Sequence, residues 1–155
     1  MSDIEKIKEA VRKNPDDSTL HFQLGQACFN EGKNREALEA FQKTIRLKPD
    51  HAEAHFFMAK VFDVLKRYDE MIDAFQEAAW IAPDWAEAHY NLGLGFLVLG
   101  RPDEGIAPFK EAIRIQPELA EAHNGLSLVY GMTGQAEFAE EHRKKAIELE
   151  PRFQK

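Results

Sequence analysis

The chain has 155 residues, of which 44% are hydrophobic and 30% charged, and it carries a formal net charge of -7. That balance suits one soluble globular domain, and the acidity excludes a nucleic-acid binder, which needs a basic stripe to meet phosphates. The start, Met-Ser-Asp-Ile-Glu-Lys, has no secretory signal, and the longest apolar run, Leu92 to Gly100, is far too short to span a membrane, so a cytoplasmic location is expected. Cys28 stands alone, which rules out an intrachain disulfide and leaves it as a small buried apolar residue.

Residues 3-13 place Ile7, Ala10 and Pro15 at the spacings found later in each second helix, so the chain opens with half a repeat. From there Pro15, Pro49, Pro83, Pro117 and Pro151 recur every 34 residues and divide the chain into 1-17, 18-51, 52-85, 86-119 and 120-153. A fixed period of this length marks stacked helical hairpins. In the first unit His21, Leu24, Gly25 and Cys28 fall at i, i+3, i+4 and i+7, one stripe of a first helix, and Ala37, Phe41 and Thr44 form the stripe of a second. Small residues at Gly25, Ala59, Gly93 and Ser127 predict close approach of a neighbouring backbone. Gly32, Gly100 and Gly134 predict turns with positive φ, and Lys66 breaks that series. Asp50, Asp84 and Glu118 are expected to cap the helices that follow the prolines. Pro108 falls inside a second helix, where it should bend the helix or remove a hydrogen bond. The phenylalanine series Phe41, Phe75, Phe109 ends at Arg143, as a terminal cap would, which points to a complete chain.

His21-Leu24-Gly25-Cys28…Ala37-Phe41…Pro49, with counterparts such as His89-Leu92-Gly93-Phe96…Gly105-Phe109…Pro117, resembles the tetratricopeptide repeat, histidine standing where that pattern has tryptophan. The resemblance covers nearly the whole chain. It implies an all-α fold, a right-handed α-solenoid of antiparallel helix-turn-helix hairpins with about nine helices, in a single domain over 1-155. It also implies a non-catalytic adaptor or scaffold, because first helices line the concave wall in this family and hold peptides there.

Residues off the packing stripe test that implication. Phe22, Gln26 and Phe29 project from the other side of the first helix of unit one, followed by Phe56, Phe57, Lys60, Asp63 and Val64, then Tyr90, Asn91, Leu94, Leu97 and Val98, then Asn124, Leu128 and Met132. Apolar side chains on both sides of a helix exceed what one hairpin needs, and interleaved amides can pair with an extended peptide. The groove residues are therefore expected to be Phe22, Gln26, Phe29, Phe56, Phe57, Lys60, Tyr90, Asn91, Leu94, Leu97, Asn124 and Leu128. Phe57 and Val98 also suit ordinary core between repeats. Glu53, Glu87 and Glu121 recur along one border, favouring basic residues beside the partner's apolar anchors or supporting helix starts.

The clamp by which related repeats hold acidic C-termini of heat-shock chaperones would fall on Phe22, Gln26, Phe57, Glu87 and Asn91, or one unit later on Phe56, Lys60, Asn91, Glu121 and Gly125. Neither set supplies the cations, so such C-termini are not expected partners. His21, His55, His89 and His123 form a ladder, but equivalent positions lie roughly 8-10 Å apart and cannot share a metal whose ligands sit within about 2 Å. They are read as half-buried packing residues. No phosphate loop, nucleophile motif or cofactor site is found, and no enzyme is expected. Two other readings stand beside the adaptor: a self-assembling homo-oligomeric scaffold, and a regulatory subunit that meets an enzyme through its convex face near Trp80.

Overall fold

A computed structural model describes residues 2-154. Among the described residues the fold is all α, with nine helices in chain order: α1 (Asp3–Lys13), α2 (Ser18–Asn30), α3 (Asn34–Leu47), α4 (Ala52–Val64), α5 (Tyr68–Ile81), α6 (Ala86–Val98), α7 (Pro102–Ile115), α8 (Ala120–Met132) and α9 (Ala136–Leu149), then a 3-10 turn over Pro151–Gln154. Consecutive helices pair as antiparallel hairpins, α2/α3, α4/α5, α6/α7 and α8/α9, with α1 packed on α2. The helices sort into two compact units, Met1–Ile81 and Ala82–Lys155. The division falls at the end of α5, four residues before the second repeat closes, a place that the 34-residue period does not distinguish from its counterparts.

Within unit 1 the core gathers on Phe41, which is fully buried together with Cys28, Ala37 and Val61. Within unit 2 it gathers on Phe109, with Ala112, Leu126 and Val129. Small residues explain how such rings fit. A Cβ built on Gly25 would lie 2.5 Å from the Phe41 ring, and one on Gly93 or Gly125 would lie 2.8 or 2.5 Å from the ring of Phe109. The small positions thus admit a phenylalanine ring, and at Gly93 a neighbouring backbone as well, since a Cβ built on Gly105 would lie 3.2 Å from the Gly93 carbonyl oxygen. Phe109 touches the first helix of its own hairpin and that of the next, the reach expected of this series.

The turns follow the glycines. Gly32, Gly100 and Gly134 have φ of 72°, 72° and 77°, and Lys66 takes the same conformation at φ 58°. The caps differ from expectation. Asp17 accepts from the backbone N–H groups of Thr19 and Leu20, but Asp50, Asp84 and Glu118 sit one residue before the N-caps His51, Trp85 and Leu119 and bond none of the free N–H groups. Their place is taken partly by His51, whose Nδ1 accepts from Ala54 N–H at 3.3 Å. Pro108 does not end α7; the helix runs on to Ile115, and the missing N–H leaves only the carbonyl of exposed Glu104 without its helical partner.

Each ladder histidine performs a task beyond packing. His21, His55, His89 and His123 donate Nε2–H to the carbonyls of Pro15, Pro49, Pro83 and Pro117, at 2.8, 3.1, 2.9 and 3.0 Å. The bond joins the end of one helix to the start of the next and satisfies a carbonyl that the proline turn would leave free.

Three substitutions test this packing by urea unfolding. Gly125→Ala gains about 1 kcal/mol of helix propensity, but it drives a methyl into a ring already held by Gly93, where overpacking costs about 1-3 kcal/mol, so a net loss is expected. Gly131→Ala on the same helix meets nothing within 4 Å and is expected to stabilise, by about 0.5-1 kcal/mol. Lys66→Gly relieves a left-handed residue and should also stabilise, by about 0.5-1 kcal/mol.

Candidate functional site

A first helix whose packing side is fixed by the ladder histidine and the small residue turns another stripe to solvent. On the successive first helices it includes Thr19, Gln23, Gln26 and Asn30 of α2, Glu53, Phe57, Lys60 and Val64 of α4, Glu87, Asn91, Leu94 and Val98 of α6, and Glu121, Leu128 and Met132 of α8, where Gly125 at the same register is buried under Phe109 instead. Its chemistry changes along the chain, from polar on α2 to half apolar on α4 and α6 and mostly apolar on α8.

In unit 1 the expected residues come together as a ring cluster. Phe22 lies 5.8 Å from Phe57 and from Phe41, Phe29 lies 6.5 Å from Phe57, and Phe57 stacks on Phe41 at 5.9 Å. All three are half-buried against the core, so each offers only part of its ring to a ligand. The Lys60 ammonium sits over Phe57 at 5.9 Å and over Phe56 at 5.4 Å, and Gln26 is half-buried beside them. Phe56 is a correction. It is 2% exposed and packs edge-on against Phe75 at 5.4 Å. One residue is a turn of about 100°, so Phe56 borders the packing stripe that His55 begins and belongs to the core.

In unit 2 Tyr90, Leu94 and Leu97 lie half-buried over the Phe109 core. Burial pushes the Tyr90 hydroxyl up, and nearby Glu121 adds to the rise. Asn91 donates its side-chain N–H to the Glu87 carbonyl at 2.8 Å, which leaves its amide oxygen free to accept. Asn124 is half-buried and Leu128 exposed. Glu121 is held by Arg152, while Glu87 forms no ion pair among the described residues.

The side chains that offer most apolar surface here are ones the expected set omits. Val64 and Val98 are each 54% exposed and Met132 is 62% exposed. They lie 34 residues apart, each seven beyond Phe57, Asn91 or Gly125. That register was available as a signal, and Val98 is surface rather than core.

One pair has chemistry of its own. His123 and His142 face each other with Nδ1 atoms 3.0 Å apart, and the His142 ring stacks on Tyr130 at 5.8 Å. His123 already spends Nε2–H on Pro117, so when neutral its Nδ1 accepts and His142 Nδ1–H donates. No group of three or more metal-ligating side chains exists among the described residues. Burial first, then the His123 charge, push the His142 pKa below its ordinary value, with Lys110 adding to this and Glu141 opposing it. A depressed folded pKa means that the folded chain binds this proton less readily than the unfolded one. The contribution is therefore present above the unfolded histidine pKa of about 6.5 and is lost as pH falls through the folded value. Unfolding stability is expected to drop from pH 7 toward pH 5, and to do so less steeply in His142→Gln; equal slopes in chemical denaturation would refute the assignment.

No helix among the described residues is long and apolar enough to cross a membrane. No curated protein matches the chain. Solved structures do. The crystal structure of MamA superposes with a TM-score of 0.91 at 27% identity, covering 96% of this chain and 87% of that one. A structure of MamA from residue 41 to its end, from Desulfovibrio magneticus RS-1, gives 0.87 at 28% identity over 96% and 84%. The family description "Tetratricopeptide repeat" matches residues 1–78, and a second of the same description matches 78–120. With hairpins, glycine turns and ring-filled small positions all in the 34-residue register, the chain belongs to the tetratricopeptide repeat family.

Proposed function

We propose that this protein is a cytoplasmic, non-catalytic adaptor that holds a peptide segment of a partner protein against the solvent-facing stripe of its first helices. The observation that carries the reading is the exposure of Val98, Leu128 and Met132 on α6 and α8, in one unit and on one stripe. Large apolar side chains left more than half open are not explained by the core, which is closed beneath them by Phe109 and Leu126. Beside them the free amide oxygen of Asn91 and the side chain of Asn124 can pair with a backbone without demanding a particular residue. Gly131, between Leu128 and Met132, leaves the helix backbone open to close approach.

In unit 1 the same stripe is less apolar, so the stronger anchors belong on unit 2. Glu87, without an internal cation, favours lysine or arginine next to the partner's apolar anchors. Acidic chaperone tails have no cationic clamp to meet there.

The test is a peptide-library screen on the purified protein, repeated with the double variant Val98→Ser, Met132→Ser. Both positions are exposed, so folding stability should change by no more than about 0.5 kcal/mol per site. Selected peptides should bind about tenfold more weakly or worse, a loss of about 1.4 kcal/mol. Undiminished binding would remove the stripe as the docking surface, and a concentration-dependent mass in sedimentation, abolished by the same variant, would assign the stripe to a second copy of the chain instead.

A further inference from the structure

The repeat supplies its own control for the other side of the second helices. Counting by 34 residues, Asp73, Glu77 and Trp80 of α5 correspond to Glu39, Lys43 and Arg46 of α3, to Ala107, Glu111 and Arg114 of α7, and to Glu141, Lys145 and Glu148 of α9. In the other three helices the middle position has an ionic partner within the chain. Lys43 pairs with Asp16 at 3.5 Å, Glu111 with Arg114 at 2.8 Å, and Lys145 with Glu148 at 3.0 Å. In α5 the arginine that answers the glutamate in α7 is replaced by Trp80. Neither Asp73 nor Glu77 forms an ion pair among the described residues, and Glu70, the next acid along this side of α5, is already held by Arg67.

Trp80 is 80% exposed, the most open of the large hydrophobic side chains. At about 100° per residue it lies roughly 20° around the helix from Asp73 and 60° from Glu77, so the three share one face over about two turns. Beside them is a cleft of about 250 Å³ between α4 and α5, floored by Met58, Phe62 and Ala74 and edged by Asp73 and Glu77. Phe62 lies roughly 140° around α4 from Phe57, so this cleft is separate from the stripe assigned to peptide binding.

We propose that this face of α5 is a second docking surface, and that it takes a basic segment of a partner protein, with an arginine supplied from outside where the repeat would otherwise carry its own. An arginine suits each part of the face. Its guanidinium can bond Glu77 and Asp73 and lie on the indole of Trp80, and its aliphatic stem, or a leucine beside it, fills the apolar floor of the cleft. Charge alone would be weak at such an exposed site, and an open tryptophan gives the surface an anchor of the type that dominates interfaces. The proposal is independent of the first-helix stripe, because it uses other residues and another side of α4.

The test uses the whole chain and a fluorescein-labelled, amidated helical peptide with arginines at i, i+4 and i+7 and leucines between them, followed by anisotropy at physiological ionic strength. A peptide with glutamate in place of arginine is the control. Saturable binding of the arginine peptide alone is expected. It should weaken about tenfold in Trp80→Arg, which restores the pattern of α7 and gives Glu77 an internal partner, and similarly in the double variant Asp73→Asn, Glu77→Gln. Because Trp80 is exposed, Trp80→Arg should unfold in urea as the parent does. The double variant Glu39→Gln, Glu141→Gln, which removes equal charge from the matching positions of α3 and α9, should bind as the parent does. The proposal is overturned if Trp80→Arg binds unchanged, if the two double variants weaken binding equally, so that only general attraction to an acidic chain is at work, or if no saturable binding occurs. Retention of peptide binding in Val98→Ser, Met132→Ser separates this surface from the first-helix stripe.

Discussion

A phenylalanine ring lying on helix backbone where no side chain intervenes is the contact on which the α2/α3 and α6/α7 hairpins are built. Phe41 on Gly25, and Phe109 between Gly93 and Gly125, occupy space that a Cβ at any of the three glycines would take. The ring must be flat and the opposing residue must lack a Cβ, so the contact fixes both the spacing of the helices and the rotation of each about its axis. On α6, once the helix is rotated so that Gly93 meets the ring, Val98 lies about 140° away and faces water, so its exposure is a consequence of core geometry.

The junctions between hairpins depend on a different interaction. Each ladder histidine reaches back to a proline carbonyl with a ring N–H, and tryptophan, which the family pattern has at this position, is another ring with an N–H donor. The substitution has a price that tryptophan would not incur, because imidazole keeps a second nitrogen. At His123 that nitrogen meets His142, so α8 and α9 are tied by a bond that titrates.

The positions of all helices, the turns and the series of ring-and-small-residue contacts were legible because they repeat: an error at one unit would have been contradicted by the other three. Lys66 shows a limit, since a lysine breaks the glycine series in sequence and yet its backbone takes the left-handed conformation of the other turns. What was not legible depends on angle or on competition within one turn. Phe56 and Phe57 are neighbours with the same side chain, and a rotation of about 100° decides that one is fully core and the other half-buried with part of its ring open. Asp50, Asp84 and Glu118 have the right chemistry for caps but stand one residue too early, and at His51 an imidazole nitrogen takes the N–H instead. The division of the chain after Ile81 leaves no mark in a period that continues through it unchanged.

Repetition also gives a criterion for function that a single-copy fold lacks. A residue type that recurs at one register and is buried there is accounted for by stacking, as Phe41 and Phe109 are. Two kinds of position escape that account. Val64, Val98 and Met132 recur but are exposed, so repetition has maintained an apolar character that the core does not use. Trp80 does not recur, and it stands where the other units place a charged residue, with the acid that such a charge would serve left unanswered beside it. The first kind marks an apolar position shared by several first helices, tolerant of sequence because it is filled by similar side chains. The second marks a site peculiar to one repeat, and specificity for a particular partner is more economically placed there, since changing one helix leaves the ring-on-glycine contacts that hold the others untouched.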